Sequence, residues 1–243
     1  MNVIFDLETI HDPELPPPPK AQREGDPEPF AAPLYWQIVS AAAVVLSPRL
    51  ALEKILLWKT EPEAVDGLIA ELSDKDAMAV TWNGRGFDLP VLAARAFKLG
   101  RPFPAYYKGK PDMRYRYGNG TTFDMKDYLG DFGGARAASM DVYAKAMGLP
   151  GKGDCDGSMV GDMIAAGRHA EVYVYNLEDA LQEACIFLRV EWISGRMPEA
   201  TYRKALDGLL SDAKVMEPLL APFVEKAQLG LKLRGQMPLL SVP

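Results

Sequence analysis

Cysteine and histidine are scarce: Cys155 and Cys185, with His11 and His169, are all that the 243 residues hold. Two cysteines cannot staple a disulfide framework, so a reducing compartment is expected. Zinc ligands at ordinary spacing are missing, and two histidines leave few parts for a Ser-His-Asp triad, for which no nucleophile elbow appears. No stretch approaches the roughly 18 consecutive apolar residues of a membrane span. The apolar start Val3, Ile4, Phe5 is interrupted at once by Asp6 and follows no basic stretch, which argues against a signal peptide. Positive charge is not in surplus either, since 27 basic against 33 acidic residues give a formal charge of −6. That excludes a protein that coats nucleic acid through its overall field, but not one that grips a strand end in a local basic groove. With 48% hydrophobic residues the chain can bury a sizeable core. A soluble, cytoplasmic protein is expected.

Residues 2–6 read as a buried strand, too short and apolar for an amphipathic helix. A proline-rich excursion follows over about 13–33, where Pro16 to Pro19 preclude helix or central strand. Strands are expected over 38–46, 52–58 and 77–82, and helices over 61–73 and 88–99. Glu61-Pro62-Glu63 supplies the acidic, proline-containing first turn of the earlier helix. Downstream the pattern is helical, over about 123–130, 139–147, 157–167, 170–195 and 199–228. The order β-β-β-α-β-α followed by helices indicates an α/β fold, one mixed sheet with helices packed on it and a helical C-terminal part. No internal repeat is visible.

The acids fall at particular places on this layout. Asp6 and Glu8 stand two apart at the end of the first strand, so period-two alternation sends both to one face. Two carboxylates held together repel unless they share a cation, and hard divalent ions take such oxygen ligands. The same Asp-x-Glu can also merely end a strand. Asp88 follows the glycine-loosened turn Asn83-Gly84-Arg85-Gly86, where it is either a site acid or an N-terminal acid favoured by the helix dipole. Tyr175 and Asp179 share a helix face at i, i+4 if 170–195 is continuous, with Leu177, Leu181, Ala184 and Leu188 towards another. Val172 to Tyr175 also reads as a short strand, which would leave Asp179 in a capping box opened by Asn176.

Taken in order, these segments resemble the four-carboxylate exonuclease superfamily, and specifically the predicted 3′–5′ exonucleases related to the proofreading domain of family-B DNA polymerases. Phe5-Asp6-Leu7-Glu8-Thr9 is similar to the first exonuclease motif, and Asn83 to Pro90 to the second. Tyr175-x-x-x-Asp179 is similar to the tyrosine form of the third, with Val174 where the histidine form would place its histidine. Gly148 to Lys152, with Asp156-Gly157-Ser158, resembles this subfamily too. The chain departs from the pattern at Asn176 and Leu177, where relatives commonly carry Cys-Glu, and in its long proline-rich insertion.

The resemblance implies a ribonuclease H-like domain over residues 1–200, with 201–243 as a helical extension packed on it. It implies catalytic residues Asp6, Glu8, Asp88, Tyr175 and Asp179 and two Mg²⁺ or Mn²⁺ ions. Asp6, Glu8 and Asp179 would hold one ion; Asp6, with Asp88 through water, would hold the second. Tyr175, with an ordinary pKa of about 10, would orient the attacking water and not deprotonate it. Leu7, Thr9, Asn83 and Phe87 become substrate contacts, and Arg85 and Lys152, in glycine-rich loops, are candidates to reach phosphate. The segments Tyr106 to Lys110 and Arg114 to Tyr117 interleave basic and aromatic residues, as strand-binding surfaces do, and equally suit a solvated loop.

The implied activity is release of nucleoside 5′-monophosphates from the 3′ end of single-stranded nucleic acid, DNA before RNA or short oligonucleotides. A homo-oligomer and a repair or replication partner are both compatible with it. A silent nucleic-acid-binding module of the same fold is the competing class. Asp154-x-Asp156-Gly157 opens like a calcium loop but lacks glycine at the sixth position and an acid at the twelfth, Ala165. Gly151-Lys152 lacks the hydroxyl residue of a phosphate loop.

Overall fold

The computed structural model describes residues 1–19, 30–108, 113–117, 120–153 and 155–235. The first strand, β1 (Asn2–His11), has neighbours on both sides. β2 (Trp36–Leu46) runs antiparallel to it and β3 (Leu52–Trp58) antiparallel to β2. After α1 (Glu61–Leu72), β4 (Met78–Thr81) returns parallel to β1 on its other side. After α2 (Asp88–Leu99) and the short α3 (Pro104–Lys108), β5 (Thr122–Asp124) closes the sheet in the order β3-β2-β1-β4-β5. The remaining helices are α4 (Met125–Leu129), α5 (Met140–Met147), α6 (Val160–Ala165), α7 (His169–Ile193), α8 (Glu199–Met216) and α9 (Ala221–Leu233).

Strand alternation divides the core in two. Val3, Phe5 and Leu7 join Val65, Leu68, Leu89 and Leu92 of α1 and α2 on one face of the sheet. Ile4, Ala42 and Val44 join Leu181 and Phe187 of α7 on the other. Leu206 and Leu210 of α8 and Phe223 and Val224 of α9 belong to that second cluster, so the C-terminal helices lie over α7. Their approach is close: a Cβ on Gly230 would fall 2.0 Å from the carbonyl oxygen of Gly148, the left-handed residue (φ 98°) that ends α5.

Three expected elements differ. Residues 123–130 are not one helix; β5 precedes α4, a strand of three residues being too short to show periodicity. Asp124 makes the switch, ending the strand and accepting from the N–H groups of Lys126 (3.0 Å) and Asp127 (3.1 Å) as the cap of α4. Residues 199–228 divide into α8 and α9 because Glu217 turns extended (φ −133°, ψ 93°) ahead of Pro218, which has no N–H to continue the ladder. The segment 157–167 opens as a 3₁₀ turn, Gly157–Met159, before α6. Val172 to Tyr175 are helical, so α7 is continuous over 25 residues. Of the proline-rich excursion, Pro13 to Pro19 form no helix or strand, and residues 20–29 lie outside the described residues. Gly109, Lys110 and Asp154 also lie outside them. No helix among the described residues is long and apolar enough to cross a membrane.

Candidate active site

Asp6 and Glu8 continue the Ile4 side of β1, the face that α7 covers. Their partners across β2 are Ala42 and Ser40, side chains small enough for a helix to come close. The register shifts between Glu8 and Thr9, a bulge that falls directly after the second acid and re-aims the strand end. Facing them, α7 carries a buried polar stripe, Tyr175, Asn176, Asp179, Gln182 and Glu183, at the 3.6-residue period. Its opposite side supplies Leu177, Leu181, Ala184 and Leu188 to the core.

The carboxylate oxygens of Asp6, Glu8 and Asp179 lie within 4.8 Å of one another. Burial, then Asp179, push the Asp6 carboxyl up to about 7 against the pull of Lys152 and Asn176. Burial and then Asp6 and Asp179 raise Glu8 far above its ordinary range, and burial raises Asp179. Carboxylates that resist ionisation together in this way form a cation-shaped site, and an all-oxygen donor set suits a hard divalent ion. Lys152 supplies the nearest positive charge. Its Nζ lies 2.9 Å from Asp179 Oδ2 and donates to the Tyr175 hydroxyl. Burial and then Asp179, Glu8 and Asp6 push the Tyr175 hydroxyl above its ordinary value, so it keeps its proton at neutral pH. Asn176 ties this group to the sheet, donating to Asp6 Oδ2 (2.7 Å) and to the Asp6 carbonyl (3.2 Å) while accepting from Ser40 Oγ (2.8 Å).

Asp88 is the first residue of α2 and is 4% exposed. Burial and then Asp6 raise its carboxyl well above the ordinary range, so it faces the same cluster. The turn before it is held by Asp124, whose carboxylate accepts from the N–H of Asn83 (3.1 Å) and of Arg85 (3.0 Å). Asn83 is left-handed (φ 67°), a conformation its short polar side chain tolerates. A Cβ on Gly84 would sit 2.2 Å from Thr81 Oγ1, so only glycine lets the turn fold back on β4.

A cleft of about 1270 Å³, larger than a typical small-molecule site, is lined by these acids. Asp6, Leu7, Glu8, Thr9, Asn83, Phe87, Asp88, Lys152 and Asp179 all line it. Tyr175 lies just behind, beneath Lys152. Arg85 is not in the cleft wall; its guanidinium donates to the carbonyls of Thr122 (2.7 Å) and Tyr115 (3.4 Å). Among the described residues of the basic-aromatic segments, only Arg116 lines the cleft, paired with Asp127 at 2.7 Å. Three contributors were not legible as site residues: Trp36, which packs against Phe30 and Phe87 on the cleft wall, Asn176 and Glu183. For Glu183 a signal existed, because the i, i+4 spacing from Tyr175 to Asp179 reaches it one turn later.

Residues 28–225 match the family described as "Predicted 3'-5' exonuclease related to the exonuclease domain of PolB". The match includes Asp88, Tyr175 and Asp179 and begins after Asp6 and Glu8. No curated protein gives a significant match. Solved structures include the family B DNA polymerase from the hyperthermophilic archaeon Pyrobaculum calidifontis, with TM-score 0.53 and 17% identity over 97% of this chain. The chain spans 29% of that polymerase, and the likeness concerns the fold: the ribonuclease H-like mixed sheet flanked by helices expected from the sequence.

Proposed function

From the premise that this chain belongs to the family of predicted 3′–5′ exonucleases related to the exonuclease domain of PolB, we propose that it removes nucleoside 5′-monophosphates from the 3′ end of single-stranded DNA. The observation that carries this reading is the group of Asp6, Glu8 and Asp179, three carboxylates with oxygens within 4.8 Å that line one cleft.

In this reading Asp6, Glu8 and Asp179 would hold one Mg²⁺ or Mn²⁺, and Asp6, with Asp88 through water, would hold a second. Such a pair, when bound, stabilises the charge that develops on the attacking and leaving oxygens of an in-line displacement. The chain's own groups do the rest. Tyr175, protonated at neutral pH, orients the attacking water through its hydroxyl. The water oxygen bonds to the terminal phosphorus as the bond to the 3′ oxygen of the preceding nucleotide breaks, and that oxygen leaves with a proton. Leu7, Thr9, Asn83 and Phe87 form the wall against which the terminal nucleotide lies, and Lys152 stands at the phosphate side. The apolar and aromatic wall of Phe30, Trp36 and Phe87 suits a stacked base. Residues 1–200 make up the nuclease body and 201–243 an extension; the shared apolar cluster of α7, α8 and α9 supports this up to α9, and 236–243 lie outside the described residues.

The test is incubation of the protein with a 5′-labelled single-stranded DNA and Mg²⁺ or Mn²⁺, beside Asp6→Ala and a matched RNA. Shortening from the 3′ end that EDTA and Asp6→Ala both abolish is the expected result, with RNA degraded more slowly. Faster RNA degradation would move the substrate to RNA. No cleavage of either polymer would replace the enzyme with a binding module.

A further inference from the structure

We propose that Glu183 is a fifth carboxylate of this site and a direct ligand of the divalent cation held by Asp6 and Asp88. The inference rests on the metal-dependent reading above and deepens it.

Glu183 lies one helical turn beyond Asp179 on α7, lines the cleft, and is 1% exposed. Its Oε2 has no hydrogen-bond partner among the described residues, and no ion pair there involves it. Gln182, the adjacent amide, donates to Asp179 Oδ1 at 3.2 Å. The largest electrostatic effects on Glu183 come from acids, Asp6 and Asp88 foremost, then Asp179 and Asp124. A buried carboxylate oxygen that meets no donor is costly, and placing it among other acids compounds the cost. A shared divalent cation resolves both problems at once.

Charge balance points the same way. Asp6, Glu8, Asp88, Asp179 and Glu183 together carry five negative charges when ionised, and Lys152 provides one positive charge among them. Two divalent ions bring the group to neutrality. Without Glu183 the second ion would have Asp6, already engaged with the first, as its one direct protein ligand, with Asp88 acting through water.

Mn²⁺ binding to the full chain, counted by the electron paramagnetic resonance of the free ion, separates the possibilities. Wild type is expected to bind two ions. Glu183→Gln keeps the side-chain shape and is expected to keep the site of Asp6, Glu8 and Asp179 while weakening the other by roughly tenfold or more, since even outer-shell partners of a metal cost that much. Glu183→Asp, which keeps the charge on a shorter arm, is expected to bind two ions with an intermediate affinity. Two sites of unchanged affinity in Glu183→Gln would overturn the proposal and leave the exonuclease reading standing. So would a melting-temperature rise in Glu183→Gln that is equal with and without Mn²⁺, the mark of a merely buried acid. A wild-type protein that binds no Mn²⁺ would overturn the metal-dependent reading and this inference with it.

Discussion

Asn176 holds the Asp6 carboxylate from the side and is itself held by Ser40, so one amide joins α7 to two strands. In Asn176→Ala, Asp6 loses its fixed donor and the buried Ser40 hydroxyl loses its acceptor. Stability is expected to fall by roughly 1–3 kcal/mol in urea denaturation. Exonuclease turnover is expected to fall by about 10- to 100-fold, as when a partner that orients a metal ligand is removed. Turnover equal to wild type would mean that Asp6 is oriented by other contacts. The sequence marks Asn176 as a departure from the Cys-Glu pattern of relatives and as a candidate opening residue of a capping box. Its role is not legible there, because Ser40 lies 136 positions away in the chain.

At the scale of elements, the site depends on how α1 and α2 are locked to the end of β1. Arg95 of α2 is fully buried, pairing with Glu61 at the start of α1 (2.7 Å) and with Asp12 (2.7 Å) beyond the end of β1. Glu61 also accepts from the Ile38 N–H (2.9 Å), which ties in β2. Burial works against the Asp12 charge, yet hydrogen bonds from Lys98, the Glu14 N–H and Arg95 hold its carboxyl at about 2. Arg95→Met leaves two buried acids short of a partner and is expected to destabilise by about 3 kcal/mol in urea denaturation, the lower end for breaking a buried pair. A loss under about 1 kcal/mol would mean that Lys98 alone satisfies Asp12. The sequence marks Glu61 as an acid of a helix's first turn and nothing more. The helix start is right, but the side chain is spent on the core. Local chemistry specifies a first turn and says nothing of the arginine that reaches it from the next helix.

Over the whole molecule, the acids bring β1, α2 and α7 to one point, so their ionisation bears on global stability. Asp6 is raised to about 7, and Glu8, Asp88 and Glu183 lie well above their ordinary values. Without metal, the folded protein therefore keeps protons that the unfolded chain releases as pH rises through the ordinary carboxylate range. That contribution is present below the unfolded values and is lost as pH rises through the raised, folded ones. The EDTA-treated protein is expected to melt at a higher temperature at about pH 5 than at about pH 8. Mn²⁺ is expected to reverse the order, because its ligands must be deprotonated. Melting temperatures that do not change with pH in EDTA would mean that the acids are already neutralised within the chain.

Sequence alone determined most of the elements and the order of the acids along them, but not β5 or the break between α8 and α9. Period two places Asp6 and Glu8 on one side of a strand, and period 3.6 places Tyr175 and Asp179 on one side of a helix; both are local regularities. The mixed sheet followed from the order of strands and helices for the same reason. Only the tertiary structure decided that Asp88 faces Asp6, that Arg85 turns from the cleft to the carbonyls of Thr122 and Tyr115, and that Lys152 pairs with Asp179. It also decided that α7 buries a polar stripe reaching Glu183 against the small residues of β2. These are contacts between segments far apart in the chain, set by which faces the sheet and helices bury together; local spacing puts Glu183 on the face of Tyr175 and Asp179 but does not say what that face meets.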